Sequence, residues 1–206
     1  MEIQSENIKK YLLNNLDIPD EDNIDIKDIY KIENININRL NYKLEEAKFF
    51  PEELAYFKEL KECSLSGFLI TDDIKKNLSK LEKLKTISFD HCIYSGNEKI
   101  KNKMKNINLN CSNYNLAYMF DKKNYTEKIL LKDVIEVDIN RICEFINLRE
   151  LILLNCDIKN SNLLISLKSL KKLKIIGCKL DNYDIISKID KNIEFIYSKD
   201  EFFYVD

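Results

Sequence analysis

Two segments of this chain, LRELILLNCDI at residues 148 to 158 and LKKLKIIGCKL at residues 170 to 180, carry one pattern of apolar positions, with starts twenty-two residues apart. A fixed period of this kind constrains the fold more than any single residue does. Each copy is too short to enclose a core and must bury its apolar side against the next copy. Earlier in the chain the same spacing recurs with Leu84, Ile87, Phe89, Cys92 and Tyr94, with Leu60, Cys63, Leu65, Phe68 and Ile70, and with Ile32, Ile35, Ile37, Leu40 and Tyr42. Two units are weaker. Residues 104 to 114 keep Met104, Ile107 and Leu109, and residues 126 to 136 keep Ile129, Leu131 and Val134. A last half-unit is expected with Ile193 and Phe195 as its inward pair, so unit starts fall near 32, 60, 84, 104, 126, 148, 170 and 190.

Alternation at the fourth and sixth positions is the period of a β-strand with one buried face, and its repetition predicts a parallel ladder. The ninth position lies where the chain leaves the strand. Cys92, Cys156 and Cys178 stand there, small and mostly apolar, with a weak S–H donor for neighbouring backbone groups. Between strands, TDDIKKNLSKLEKL, EVDINRICEFINL and NSNLLISLKSL space their apolar residues at three- and four-residue intervals, which predicts short helices. Thr71 before Asp72 and Asp73 reads as an N-cap, and Pro51 starts a slightly longer helix in PEELAYFKEL. Residues 1 to 28 lack the repeat. Ile8, Tyr11, Leu12, Leu13 and Leu16 there share one helical face, which predicts an N-terminal capping helix ended by Asp17 to Pro19. The tail EFFYVD is expected to cover the other end of a repeat domain spanning residues 29 to 206.

The L-x-x-L-x-L-x-x-C-x-L/I signature resembles that of the leucine-rich-repeat superfamily. The 22-residue units are similar to its internalin-like and phosphatase-regulator-like subclasses, over roughly residues 29 to 200. The resemblance implies an α/β solenoid, with a curved parallel sheet on the concave face, short helices on the convex face and about eight units. It also implies that the concave surface binds a protein, without naming the partner.

On the concave face the fifth and seventh positions of each unit should project outward. From the N-terminus they are Asn36 and Asn38, Ser64 and Ser66, Ser88 and Asp90, and Asn108 and Asn110. They then change to Leu130 and Lys132, Ile152 and Leu154, and Lys174 and Ile176. The first half is small and polar; the second is apolar with lysines. Leu130, Lys132, Ile152, Leu154, Lys174 and Ile176 are therefore the candidate partner-binding residues, because contiguous apolar side chains on a surface with no packing duty mark interaction sites. Folding-back of the tail residues Phe202, Phe203 and Tyr204 over the patch, or a homodimer contact there, would use the same residues.

Composition argues against other classes. Lysine plus arginine number 33 and aspartate plus glutamate 35, with no long block of one sign, so neither nucleic acid nor a polyanion is an expected partner. No eighteen apolar residues run together, and the first twenty have no signal-peptide core. The expectation is a cytoplasmic protein without a membrane association. The six cysteines have no CxxC or Cys/His zinc spacing, which favours reduced thiols and no metal. His91 is the only histidine. It lies between Asp90 and Cys92, but neighbouring strand residues face opposite ways, so it is not expected to activate Cys92. Three isolated glycines, Gly67, Gly96 and Gly177, build no phosphate loop, so no cofactor and no enzymatic activity are expected. Cys143 reads as core and Cys111 as exposed. A Leu154→Asp change tests the register. It should abolish partner binding without unfolding if Leu154 is exposed, and destabilise the protein severely if it is buried.

Overall fold

The computed structural model describes residues 3–16, 24–39, 49–110, 119–121 and 123–200, with the side chains of 26 and 28 excepted. The expectations for Leu40, Tyr42, Cys111, the helix end at Asp17 to Pro19 and the tail residues Phe202, Phe203 and Tyr204 lie outside the described residues. Eight five-residue strands, β1 (Asn34–Asn38), β2 (Glu62–Ser66), β3 (Thr86–Asp90), β4 (Asn106–Asn110), β5 (Lys128–Lys132), β6 (Glu150–Leu154), β7 (Lys172–Ile176) and β8 (Glu194–Ser198), form one parallel sheet in chain order. Register is unbroken: Ile35, Cys63, Ile87, Ile107, Ile129, Leu151, Leu173 and Phe195 align, as do Ile37, Leu65, Phe89, Leu109, Leu131, Leu153, Ile175 and Tyr197. From Ile35 to Ile175 every member of both rows is buried. Each such side chain contributes about 1.5–3 kcal/mol through burial, so the two rows hold the ladder.

The last unit differs from expectation. Phe195 and Tyr197, not Ile193 and Phe195, are its inward pair, because Phe195 pairs with Leu173 and Tyr197 with Ile175. The unit therefore begins two residues later, and the 22-residue spacing holds to the end. The fifth unit also departs from the pattern, but only after its strand. Asp133 and Glu136 both take positive φ (52° and 61°), and Val137, not Glu136, is the buried residue that joins the short ladder with Asp157–Lys159 and Lys179–Leu180. The extra residue bulges outward at exposed Ile135.

The turns leaving β2, β3, β5, β6 and β7 are built the same way. The eighth residue adopts left-handed φ: Gly67 (76°), His91 (49°), Asp133 (52°), Asn155 (51°) and Gly177 (63°). Its N–H donates to the last strand carbonyl of the next unit, as in Gly67 to Asp90 (2.8 Å), His91 to Asn110 (2.9 Å) and Asn155 to Ile176 (2.8 Å). Glycine, asparagine, aspartate and histidine are the residues that tolerate this conformation best. At the ninth position the thiols serve as buried donors. Cys92 Sγ donates to Leu65 O (3.2 Å), Cys156 Sγ to Leu131 O (3.5 Å) and Cys178 Sγ to Ile176 O (3.3 Å), while Cys178 Sγ accepts from Cys156 N (3.3 Å).

On the convex side the structure corrects the helical expectation in part. Pro51–Tyr56, Lys123–Tyr125, Ser161–Ser166 and Tyr183–Lys188 are 3-10 turns, including the segment that Pro51 starts. For the last three, a 22-residue unit leaves few residues to span this side, and the 3-10 rise of about 2.0 Å covers more distance per residue than the α-helical 1.5 Å. Where the spacing widens after β2, an α-helix of eight residues forms (Asp72–Ser79), with the Thr71 hydroxyl accepting from Ile74 N at 3.4 Å as the sequence predicts. Ile139–Ile142 makes one further α-turn, capped by Asp138.

The capping helix is α1 (Glu6–Asn15), with Ile8 and Leu12 fully buried and Tyr11 and Leu16 packed at the margin of the core. Tyr11 OH donates to Asn34 O (2.6 Å) on β1, the first strand of the sheet. The start of α1 is held by Glu53, whose buried carboxylate accepts from Gln4 N (2.6 Å) and Ser5 N (3.0 Å), while the Ser5 hydroxyl accepts from Phe50 N (2.8 Å). Removing this carboxylate orphans two backbone donors at a buried helix start. Glu53→Ala should cost about 1–3 kcal/mol in urea unfolding and speed proteolysis within residues 1–16 of the native protein.

Burial pushes the Cys63 thiol up to about 12 and Cys92 up to about 11. A thiol whose folded pKa exceeds its unfolded value of about 8.5 stabilises the protein fully below that pH, and the contribution is lost as pH rises toward the folded value. Stability should therefore fall between about pH 8.5 and 11, less steeply in Cys92→Ala. A brief iodoacetamide pulse at pH 8 followed by mass spectrometry should leave Cys63, Cys92, Cys156 and Cys178 unlabelled until urea is added.

Candidate functional site

Residues one, three and five of each strand face away from the core and form three columns across the sheet. Over β3 and β4 the columns are bonded to themselves. Asn106 Nδ2 donates to Thr86 Oγ1 (3.0 Å), Asn108 Nδ2 to Ser88 Oγ (3.0 Å) and Asn110 Nδ2 to Asp90 Oδ1 (2.6 Å). These amides arise from equivalent positions of adjacent units, which stand about 4.8 Å apart, within side-chain reach.

From β5 onward the surface changes. The first column becomes alternately charged, with Lys128 3.3 Å from Glu150 and Lys172 3.1 Å from Glu194. The carboxylate of Glu194, hydrogen-bonded to Lys172, raises the lysine pKa. The central column runs Leu130, Ile152, Lys174 and Ile196, in register, with the first three half-buried and Ile196 41% exposed. The third column holds Lys132, Leu154 and Ile176. Lys132 Nζ lies 3.5 Å from Asp133 Oδ2.

All six residues singled out in the sequence thus share one face in adjacent strands. Leu154 nevertheless departs from expectation: it is only 6% exposed, and Leu154→Asp belongs among the destabilising changes. The register is the expected one. Leu154 is hidden because it sits at inter-strand distance between two long side chains, Ile176 and Lys132, the latter itself only 13% exposed. The sequence reading missed Ile196 because its list of outward residues stopped at the seventh unit. It also passed over the charged column at the third position, although the same unit arithmetic would have given both.

The histidine and its neighbours do not form a nucleophilic site. His91 is exposed, with Nδ1 2.8 Å from Asp90 Oδ1, and its left-handed φ assigns it the turn duty that Gly67 and Gly177 perform elsewhere. Cys92 is 1% exposed, with its thiol directed to backbone carbonyls and its pKa raised by burial, so it supplies no thiolate near pH 7. Cys156 is shifted further in the same direction, through its hydrogen bond to Cys178 and its burial. Among the described residues no three His, Cys, Asp or Glu side chains converge as a metal site, and no helix is long and apolar enough to cross a membrane.

No family model matches this chain, nor does any curated protein by sequence. Among solved structures it is similar to internalin C2 from Listeria monocytogenes, with a TM-score of 0.54 over 94% of this chain and 92% of that one, at 13% identity. At that identity the likeness speaks for the fold. It agrees with the eight-stranded parallel ladder. The chain is a leucine-rich-repeat solenoid of internalin-like architecture.

Proposed function

We propose that this protein is a non-enzymatic interaction scaffold that binds a protein partner through the C-terminal half of its concave face. One observation carries the reading. Leu130 and Ile152 stand side by side in the central column of the outer face, with Ile196 beyond Lys174 in the same column, bordered by the Lys128–Glu150 and Lys172–Glu194 pairs. An apolar centre with a charged border is the usual anatomy of a protein interface. Over β3 and β4 the polar side chains are spent on one another, which leaves less to offer a partner there. The repeat architecture supports the scaffold role in general. We place the protein in a reducing, cytoplasmic compartment, a reading supported by five free cysteines among the described residues.

A homodimer is the second reading, and the sheet edge favours it. The column ends at Ile196 on β8, the last strand of the ladder, so a second copy could extend both the apolar surface and the strand pairing. An Ile152→Asp/Ile196→Asp variant separates the two, since both side chains reach solvent and the fold should persist by circular dichroism. Affinity capture from the source organism's lysate should lose a specific protein when this variant replaces wild type, with both baits monomeric by light scattering. A wild-type dimer that the variant dissociates would instead assign the column to self-association. Identical captured proteins and identical mass for both baits would refute both readings.

A further inference from the structure

Each strand is preceded by a residue that tethers its unit to the one before. Lys105 N donates to Lys85 O (2.8 Å), Glu127 N to Lys105 O (2.9 Å) and Arg149 N to Glu127 O (2.8 Å). This ladder sets the four side chains along one rim of the solenoid at roughly the inter-strand interval of 4.8 Å. A cleft of about 470 Å³ opens there, lined by Lys85, Lys105 and Arg149, by Lys103 from the preceding turn, and by Tyr125 and Asn124. Glu127 is its single carboxylate.

The cleft is strongly positive. Several lysines elsewhere meet acids of neighbouring units closely, as in Lys61–Glu33 (2.6 Å), Lys159–Glu136 (2.7 Å) and Lys172–Glu194 (3.1 Å). In the cleft Glu127 reaches only Lys105, at 3.9 Å. Among the described residues Lys85, Lys103 and Arg149 make no ion pair, and Lys103 instead lies over the Tyr125 ring, 4.7 Å from its centroid. Four cations against one carboxylate leave three positive charges in excess on a chain whose net charge is −2. Converging like charges repel unless an anion joins them. Apart from Glu127 the charged lining is all donor: three ammonium groups and a guanidinium fork matched to phosphate geometry.

We propose that this rim cleft binds a small molecule carrying a chain of two or more phosphate groups, at a site separate from the apolar column. One phosphate monoester brings at most two negative charges, fewer than the excess, and fills little of the volume. A di- or triphosphate matches both, and the cleft has the size of ordinary small-molecule sites. Arg149 grips one phosphate through two N–H donors, while Lys85, Lys103 and Lys105 neutralise its neighbours. Tyr125 holds the Lys103 ammonium at the mouth.

Isothermal titration calorimetry on the whole chain at 150 mM KCl tests this, using tripolyphosphate, magnesium-free ATP, sulfate and a hexaglutamate peptide as probes. Tripolyphosphate should bind one to one, and at least tenfold tighter than sulfate or hexaglutamate. Lys85→Gln/Arg149→Gln should weaken it at least tenfold, whereas Lys159→Gln, at a paired lysine elsewhere, should leave it unchanged. Both substitutions in the double variant lie on the surface, and Lys103→Gln provides an independent variant expected to weaken binding in the same direction. ATP binding tighter than tripolyphosphate would identify a nucleotide as the source of the phosphate chain; equal binding would mean that the chain alone is recognised. No saturable binding of tripolyphosphate, equal affinity in the variants, or hexaglutamate binding as tightly would overturn the proposal.

Discussion

No unit of this protein has a core of its own, and the fold rests on the contact between one inward pair and the next. Leu151 and Leu153 cannot bury each other within their own strand; they are buried because Ile129, Leu131, Leu173 and Ile175 stand in register on either side. Such an assembly is stable only as a stack, and its ends are the places where burial is incomplete. At the N-terminal end, Ile8 and Leu12 of α1 complete it, with Glu53 holding the helix in place. At β8 the inward Phe195 and Tyr197 are only partly buried.

The turn after each strand determines whether the stack can continue, because it must reverse the chain while leaving no buried N–H unpaired. Gly67, His91, Asp133, Asn155 and Gly177 differ in chemistry but share left-handed φ and one backbone bond to the following unit. The lone histidine is therefore a turn residue in its backbone role, whatever its side chain adds through Asp90. The cysteines at the ninth position act similarly: each places a weak donor where strand carbonyls of its own or a neighbouring unit remain open. A larger side chain would have to displace the inward rows that flank it.

Because the inward rows supply stability, the opposite face of the sheet is free to vary, and it divides along its length. Over β3 and β4 the polar groups close on one another, through Asn106, Asn108 and Asn110, while β5 to β8 carry the central apolar residues and the paired charges. The rim before the strands varies independently again, which lets uncompensated cations gather around Arg149 without disturbing the ladder. Separate surfaces on one scaffold follow from a core that needs only two positions in each strand.

Most of the fold was legible in the residues, since a period-2 pair recurring every twenty or so residues has few ways to bury itself. The inward residues of seven strands followed from that spacing, the Thr71 cap from the acidic residues after it, and the capping helix from its own apolar face. Where the spacing signal thinned, at the last unit and after β5, the reading slipped, because segments such as NYDIISKIDKNIEF, with scattered isoleucines, admit more than one register until Phe195 pairs with Leu173. Alternation placed Leu154 on the outer face, correctly, yet exposure depends on neighbours from other units, and only the assembled sheet sets Lys132 and Ile176 beside it. The same holds for the rim. Lys85, Lys103 and Arg149 are separated in sequence by up to sixty-four residues, and nothing local relates them until the ladder brings their units together. Local chemistry determined the repeat, its strand and its turn, because these depend on nearby residues; burial on the open face and the gathering of charge were decided by tertiary structure, because both arise only between units.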